Sequence, residues 1–296
     1  KTKKLLVDTV EELEDAISDN GSTPGNGSTP NVPSETFTLT TGVDTFTGTD
    51  KADLFKAALL TVNDGDTLDG GAGVDTLNAE INATVTDKFK SSNIEKVNVT
   101  SFGDKKVDMK NITGVETITT KGSTGKLTLS NVATSTVVFG FEGSSTNDIA
   151  ANHVAGALAG TNDILNVNLN GAKDVKLTVA AGFESAKITT AGTNDVTTLT
   201  APGVTTYTVE GTGSVNFNGT LKNVTTLSAT NNSGAITTGT VSPTTGFVGD
   251  AITAGTNGAS VLLGAGNDNI GFTNTGTKSS TIKLGAGDDK LSLTTT

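Results

Sequence analysis

The feature that most constrains the fold is a short phrase that recurs at a fixed interval. It consists of Gly or Asn, an apolar residue, two polar residues and a second apolar residue. Its second residue advances from 94 to 115, and from 183 to 204 to 224, in steps of 20 or 21. Such a period predicts a solenoid whose stacked rungs bury their apolar side chains against each other. We therefore expect parallel stacked strands over residues 91–255, with these second residues inside: Ile94, Val115, Phe183, Val204 and Val224.

Composition and local pattern favour strands over helices. Hydrophobic residues make up 34% of the 296 residues, below the roughly 45–50% of ordinary globular chains, and aromatic residues only 4%. Threonine is abundant, at 56 residues. Short runs such as Ile164–Leu169 and Val175–Val179 alternate apolar and polar residues, as strands with one buried face do. The chain is thus predicted to be all-β, either a parallel β-solenoid or a β-sandwich, and the repeat favours the solenoid.

Three regions depart from this repeat. Residues 7–18 predict one short helix, because Thr9 and Glu12 form a capping box and Val10, Leu13 and Ile17 share a face. Residues 20–34 are rich in Gly, Ser, Thr and Pro, which is typical of a linker. Residues 140–163 break the period, and we expect a loop or insertion there. The predicted organisation is a helix and linker (1–34), a first glycine-turn segment (35–90), the solenoid (91–255) and a second glycine-turn segment (256–296).

Several classes of function are disfavoured by composition. The chain has no cysteine, which excludes disulfides and thiolate metal sites. A net charge of −11 without any arginine argues against nucleic acid and anionic membranes, and no apolar run is long enough to span a bilayer. The one histidine, His153, lacks a second histidine at zinc-protease spacing. No Gly-x-Ser-x-Gly or His-Glu-x-x-His motif is present, so we expect no enzyme.

One spelling, Gly-Ala-Gly-x-Asp-x-apolar, occurs three times. Its copies begin at Gly71, Gly264 and Gly285 and place aspartates at Asp75, Asp268 and Asp289. Chance predicts on the order of 0.1 copies of its looser form in such a chain. Glycines allow tight turns that aim carbonyl oxygens inward, and carbonyl and carboxylate oxygens are the ligands that Ca²⁺ prefers. The turns are therefore candidate calcium sites; the plainer alternative is a hairpin turn without an ion.

The first copy resembles the nonapeptide of the repeats-in-toxin family, Gly-Gly-x-Gly-x-Asp followed by any residue, an apolar residue and any residue. Residues 70–78 match it in full, whereas Leu263 and Leu284 replace the first glycine in the other copies. Those copies lie 21 residues apart rather than nine, which favours isolated sites within longer rungs. Partial echoes at a spacing of nine link Asp44 with Asp53 and Asp66 with Asp75. The candidate calcium ligands are Gly70, Gly71, Gly73, Asp75, Gly264, Gly266, Asp268, Gly285, Gly287, Asp289, Asp44 and Asp66.

A wider resemblance covers residues 36–100 and returns at 261–293. These segments look like the lattice-forming domain of bacterial surface-layer proteins of the repeats-in-toxin type. The resemblance implies type I secretion, folding with extracellular calcium and assembly with copies of itself into a two-dimensional layer. It also implies attachment to cell-surface polysaccharide through regions outside this chain. Two alternatives stay open: a calcium-dependent repeat adhesin, or the non-catalytic part of a type I-secreted enzyme.

Overall fold

The computed structural model describes residues 34–144, 146–219, 221–238, 240–242, 246–248, 252–254 and 256–295. The helix predicted over residues 7–18 lies outside these residues. Among the described residues, no helix is long and apolar enough to cross a membrane.

The described chain is almost entirely β, with one short 3-10 helix at Met109–Asn111. Alternating burial along the strands, such as that of Val175–Val179, matches the alternation of apolar and polar residues. The strands are β1 Thr36–Thr38, β2 Thr45–Thr47, β3 Leu54–Ala57, β4 Thr67–Asp69, β5 Thr76–Ile81, β6 Lys90–Ser92, β7 Lys96–Ser101, β8 Lys105–Asp108, β9 Thr117–Lys121, β10 Leu127–Val132, β11 Val138–Glu142, β12 Asp148–His153, β13 Ile164–Asn170, β14 Val175–Val179, β15 Ser185–Ala191, β16 Thr193–Thr200, β17 Thr206–Gly211, β18 Ser214–Phe217, β19 Thr226–Asn232, β20 Ile236–Thr238, β21 Thr240–Ser242, β22 Gly246–Val248, β23 Ile252–Thr253, β24 Ser260–Leu262, β25 Asn269–Asn274, β26 Thr281–Lys283 and β27 Lys290–Thr295.

These strands build a parallel β-solenoid of about 12 turns. The first sheet has 12 strands in the order β1-β3-β5-β7-β9-β11-β13-β15-β17-β19-β24-β26, and the second has ten strands from β8 to β27. A three-stranded sheet, β2-β4-β6, lines the first rungs. In the first sheet Val97 pairs with Ile118, and Ile188 with Val209, so neighbouring strands are 21 residues apart. The predicted solenoid is confirmed, and the sandwich alternative is wrong.

The core is a thin column between the sheets, as the repeat predicts. All five phrase positions are buried: Ile94 (0% exposed), Val115 (8%), Phe183 (1%), Val204 (4%) and Val224 (0%). Parallel stacking in register puts the same position of every rung at the same depth, so modest aliphatic side chains suffice to fill the interior.

The insertion expected over residues 140–163 is smaller than predicted. Parts of it belong to the regular strands β11 and β12, and the loop that follows them covers residues 154–163. The pairs Val138–Asn166 and Asp148–Lys176 are each 28 residues apart, so this loop lengthens one rung in both sheets. A second insertion, which the repeat does not predict, raises the step between Thr226 and Ser260 to 34 and includes the antiparallel pair β21–β22.

Stacked glycines mark the corner that leads into the second sheet. A Cβ atom on Gly234 would meet the backbone of Gly213, and one on Gly213 would meet the backbone of residues 191 and 192. Gly266 and Gly287 continue this series toward the C-terminal end. Glycine is required here because the backbones of successive rungs approach too closely for any side chain.

The substitution Gly234→Ala tests this close approach. We expect it to lower the free energy of unfolding by about 1–3 kcal/mol, the usual cost of overpacking, because the added methyl group would press on Gly213. The matched control is Gly42→Ala, whose methyl group would meet only the Thr40 hydroxyl at 3.5 Å. Urea unfolding of both variants measures the difference. Equal midpoints would contradict the proposed stacking.

Candidate cation sites at the glycine turns

A ladder of carboxylates links the first rungs at the corner before the first sheet. Each acidic side chain accepts a hydrogen bond from the amide of its counterpart in the preceding rung. Asp53 Oδ1 accepts from Glu35 N (2.9 Å), Asp75 Oδ1 from Asp53 N (2.7 Å) and Glu95 Oε2 from Asp75 N (2.8 Å). The ladder pairs backbone amides that no strand partner reaches, because each lies just before its strand begins.

A second ladder lies at the corner before β2 and β4, where Asp66 Oδ1 accepts from Asp44 N at 2.9 Å. Asp44 and Asp53 stand just before β2 and β3, consecutive strands that belong to different sheets. The nine-residue echo in the sequence is therefore the step from one sheet to the other, whereas the 22-residue step from Asp44 to Asp66 joins stacked rungs.

A third ladder joins the last rungs, where Asp268 Oδ1 accepts from Ile236 N (2.7 Å) and Asp289 Oδ1 from Asp268 N (3.0 Å). Asp268 is 1% exposed, whereas Asp289 in the last rung is half-buried. All three motif aspartates thus sit at corners of the solenoid and bridge stacked rungs.

Three of the N-terminal aspartates also have their second oxygen occupied. It accepts a backbone amide from the turn just before the aspartate, in Asp44 from Thr40 N (2.7 Å), in Asp53 from Thr49 N (2.5 Å) and in Asp66 from Asn63 N (2.7 Å). Burial alone would raise the pKa of Asp53, but the Thr49 amide and the Ser34 hydroxyl hold it below its usual value. These carboxylates are stabilised by the chain itself; their predicted role as calcium ligands at Asp44 and Asp66 stays a prediction.

Asp75 and Asp268 differ from those three aspartates. Each is at most 1% exposed, and the Oδ2 atom of each is buried without a hydrogen-bond partner. Thr40, whose amide satisfies Asp44, stands four residues before that aspartate. Gly71 stands four residues before Asp75, but its amide donates to Asp69 Oδ1 (3.1 Å) instead. Buried carboxylate oxygens are normally satisfied, so both atoms call for a proton or a cation.

Asn194, at the corresponding corner, shows which kind of atom suits the position that Oδ2 has in Asp268. Pairing along the second sheet places Asn194, Val215, Ile236 and Asp268 in one column. Asn194 Oδ1 accepts an amide, as Asp268 Oδ1 does, but its Nδ2 donates to the carbonyl oxygens of Ala191 (3.0 Å) and Ser214 (2.9 Å). Because carbonyl oxygens point at the second side-chain atom of this corner, the position suits a hydrogen-bond donor. An ionised aspartate has no donor to place there.

The electrostatics agree with this geometry. Burial, followed by the negative charges of Glu95, Asp53 and Asp69, raises the pKa of Asp75. Burial and the neighbouring Asp289 raise the pKa of Asp268 to about 6. Without a counter-ion, both sites disfavour the charged carboxylate; a bound cation would reverse that preference.

The predicted glycines have different roles in the three turns. Gly71, Gly73, Gly285 and Gly287 have φ of 88°, 121°, 93° and 137°, in the left-handed region that favours glycine. Gly264 and Gly266 do not, but a Cβ atom on either would meet the backbone of the preceding rung. A Cβ atom on Gly70 would lie 2.6 Å from Asp75 Oδ2, so glycine keeps open the space beside that oxygen.

Calcium at these turns would have to use backbone oxygens for most of its shell. Within the described ranges, no three acidic or histidine side chains converge as a metal site. Carbonyl oxygens are hard ligands that Ca²⁺ accepts, in sets of six to eight with carboxylates and water. The arrangement fits a turn-based cation site, and the ligand assignments of the sequence analysis stay predictions.

His153 is half-buried and packs against two core phenylalanines. Its ring packs edge-on against Phe139 (6.5 Å between ring centroids) and Phe183 (5.3 Å), and neither ring nitrogen has a hydrogen-bond partner. Burial lowers its pKa, so the neutral imidazole is favoured.

Asp53 and Glu95 belong to the ladder although neither is among the ligands predicted from the sequence. Asp53 carried a signal, since it stands nine residues after Asp44 and 22 before Asp75. Glu95 has no such signal, because the repeated phrase around it predicts only that Ile94 is buried.

No protein-family model, curated protein or solved structure matches the chain.

The raised pKa of Asp268 predicts a pH dependence in calcium-free buffer. The folded pKa of about 6 exceeds the usual 3.8, so the folded state binds the proton more tightly. The resulting stabilisation is fully present below about pH 3.8 and is lost as the pH rises through about 6. We expect Asp268→Asn to stabilise the chain relative to wild type more at pH 7 than at pH 5, as measured by urea unfolding.

Taking the difference between wild type and variant removes the contribution of His153, whose lowered pKa gives a slope of opposite sign. A difference that is constant between pH 5 and 7 would contradict the proposed environment of Asp268.

Proposed function

We propose that this chain is a structural subunit of an extracellular bacterial surface layer of the repeats-in-toxin type. In this proposal it is secreted by a type I system, folds with calcium and assembles with copies of itself. The observation that carries the calcium part is the pair of buried, unpartnered Oδ2 atoms of Asp75 and Asp268. Both belong to Gly-Ala-Gly-x-Asp turns, while the three aspartates outside such turns have both oxygens satisfied.

The carbonyl oxygens around Asn194 suggest which atoms would complete the C-terminal site. Its amide donates to a carbonyl three residues earlier and to one in the next rung. By the same offset and register, the carbonyls that correspond to these at Asp268 are those of Ala265 and Asp288. A cation there would tie two rungs together through one carboxylate and the backbone, as the stacked turns of a calcium-binding solenoid require.

The distribution of charge explains how calcium could act on only part of the chain. Toward the middle of the solenoid, two such corners have neutral side chains: Ser123 Oγ accepts from Ser101 N (2.9 Å) and Asn194 Oδ1 from Ala172 N (2.9 Å). The acid that caps an amide there, Glu184, which accepts from Asp163 N (2.8 Å), is exposed. Buried acidic corners are thus found near the two ends, within a chain of net charge −11. For extracellular sites with dissociation constants around 10⁻⁴–10⁻³ M, 1 mM calcium would stabilise each by about 0.4–1.4 kcal/mol.

Calcium titration of a double variant tests the sites. We expect Asp75→Asn with Asp268→Asn to bind fewer calcium ions in isothermal calorimetry, because the neutral amide cannot ligate as a second anionic oxygen does. The matched control is Asp64→Asn, which removes an exposed acid outside the glycine turns. Unchanged stoichiometry in the double variant would refute the assignment; a loss in the control as well would point to nonspecific charge binding.

The distribution of charge also predicts where the protein loosens when calcium is removed. We expect a chelator to raise amide hydrogen exchange first in residues 62–78 and 261–293, because repulsion among buried carboxylates returns there. Mass spectrometry of peptides from residues 164–217 supplies the internal control. Uniform loss of protection, or none, would mean that calcium does not act through these turns.

Electron microscopy of the same samples separates the surface layer from its alternatives. A surface-layer subunit should form two-dimensional arrays when calcium is added, and these should dissolve with chelator before the central strands exchange. An adhesin, or the non-catalytic part of a secreted enzyme, should bind calcium and stay dispersed.

A further inference from the structure

A ten-residue loop, residues 154–163, begins directly after a histidine that occupies a core position. Parallel pairing stacks His153 on Val132, which is 1% exposed. Alternation along β12 turns its side chain to the same side of the strand as Ile149, which is 0% exposed. Register and burial thus favour an apolar side chain at this position, and the sequence supplies an imidazole.

The imidazole packs as an apolar side chain would. Its ring lies edge-on to Phe139 and Phe183, with ring centroids 6.5 Å and 5.3 Å away. A neutral imidazole carries one N–H donor and one acceptor nitrogen, yet both nitrogens of His153 are buried and neither has a partner among the described residues. A phenylalanine or a leucine would avoid the cost of these unpaired atoms. Histidine differs from both because it takes up a proton at about pH 6.5.

The loop is anchored beside this histidine by a single leucine. Leu158 packs against the core, and a Cβ atom on Gly182 would lie 2.6 Å from the Leu158 Cβ. Gly182 directly precedes Phe183, the nearer of the two rings on His153. Most of the other loop residues are exposed. The packing that holds the loop and the packing around the imidazole therefore meet at residues 182 and 183.

Asp163, the last residue of the loop, is the charged group that acts on His153. Its Oδ2 accepts from Gly160 N at 3.0 Å, and its negative charge favours the imidazolium. Burial has the larger effect and lowers the pKa of His153. Other charged side chains on the neighbouring elements have partners of their own or lie on outer faces: Glu142 pairs with Lys121, Lys187 with Glu210, Lys173 with Asp195 and Glu184 with the Asp163 amide, while Asp148 and Lys176 lie on the outer face of the second sheet.

We propose that residues 154–163 form a lid that acid opens through His153. Protonation of the imidazole places a charge between two phenylalanine rings, where its nitrogens have no acceptor. The imidazolium then leaves the core and pairs with Asp163. Because Leu158 packs on the residue before Phe183, departure of the ring loosens the lid from the sheets. The proton comes from solvent and returns to it when the pH rises, so the opening is reversible.

Titration of the imidazole is the first test, and the chain has only one histidine to follow. Two-dimensional NMR of a ¹⁵N-labelled sample records the ring nitrogens of His153 as the pH is lowered. We expect a pKa below the usual 6.5, so that the closed lid is fully stabilised above about pH 6.5 and loses that stabilisation as the pH falls through the folded pKa. A pKa of 6.5 or higher would overturn the proposal.

Hydrogen exchange shows whether the lid moves with that proton. We expect exchange of residues 154–163 to be faster in wild type than in His153→Leu at low pH, by up to about tenfold for each pH unit between the folded pKa and 6.5. Taking the ratio of the two proteins at each pH removes the intrinsic pH dependence of exchange. Peptides from residues 206–232 are the internal control. A ratio that is independent of pH, or that changes equally in the control peptides, would contradict the lid.

Asp163→Asn tests where the imidazolium goes and leaves residue 153 unchanged. Without the carboxylate the imidazolium loses its partner, so we expect the pKa of His153 to fall further and the lid to open at a lower pH. The matched control is Asp148→Asn, which removes the same charge from the outer face of β12. An unchanged pKa of His153 in Asp163→Asn, or an equal change in the control, would refute the pairing with Asp163. The lid requires neither calcium nor assembly, so these outcomes do not depend on the surface-layer proposal.

Discussion

The structure depends on hydrogen bonds that cross from one rung to the next at the corners. Within a sheet, parallel pairing satisfies the backbone, but several amides at the corners, just outside the strands, lack a strand partner. A side-chain oxygen from the following rung supplies it, as Asp75 does for Asp53 and Asn194 for Ala172. These bonds set the register between rungs, and glycines beside them permit the close approach that the bonds need.

The need for an acceptor at these amides explains why the corners carry the buried polar side chains of a solenoid whose core is otherwise apolar. One oxygen of each of these corner side chains accepts from an amide. This bond fixes the side chain, so the turn determines what surrounds its second polar atom. A neutral Asn194 can donate to the surrounding carbonyls, and Asp53 receives an amide from its own turn. Asp75 and Asp268 receive neither, which makes the second oxygen available to a cation.

Much of the fold could be predicted from the sequence because stacking in register repeats the same physical demand every rung. A position such as Ile94 or Val224 must be apolar each time, and the period records it. The position of the first insertion could not be predicted in this way. Gly140 interrupts the apolar pattern of β11, and the lengthened rung shifts the period of the repeat. For the candidate sites, the repeated motif predicts Asp75 and Asp268 as ligands, and this stays a prediction. The motif does not predict that the Asn63 amide satisfies Asp66, because that bond depends on the path of a single turn.

Stacking in register also explains why the acidic corners matter beyond their own turns. Each carboxylate caps an amide of the preceding rung, so whatever holds the carboxylate also holds two rungs together. Asp75 and Asp268 are buried, and each has one oxygen without a partner, so a proton or a cation at that oxygen would decide whether the corner carries a negative charge. In the proposed surface-layer subunit, the calcium that folds the chain would therefore act through the same hydrogen bonds that align its rungs.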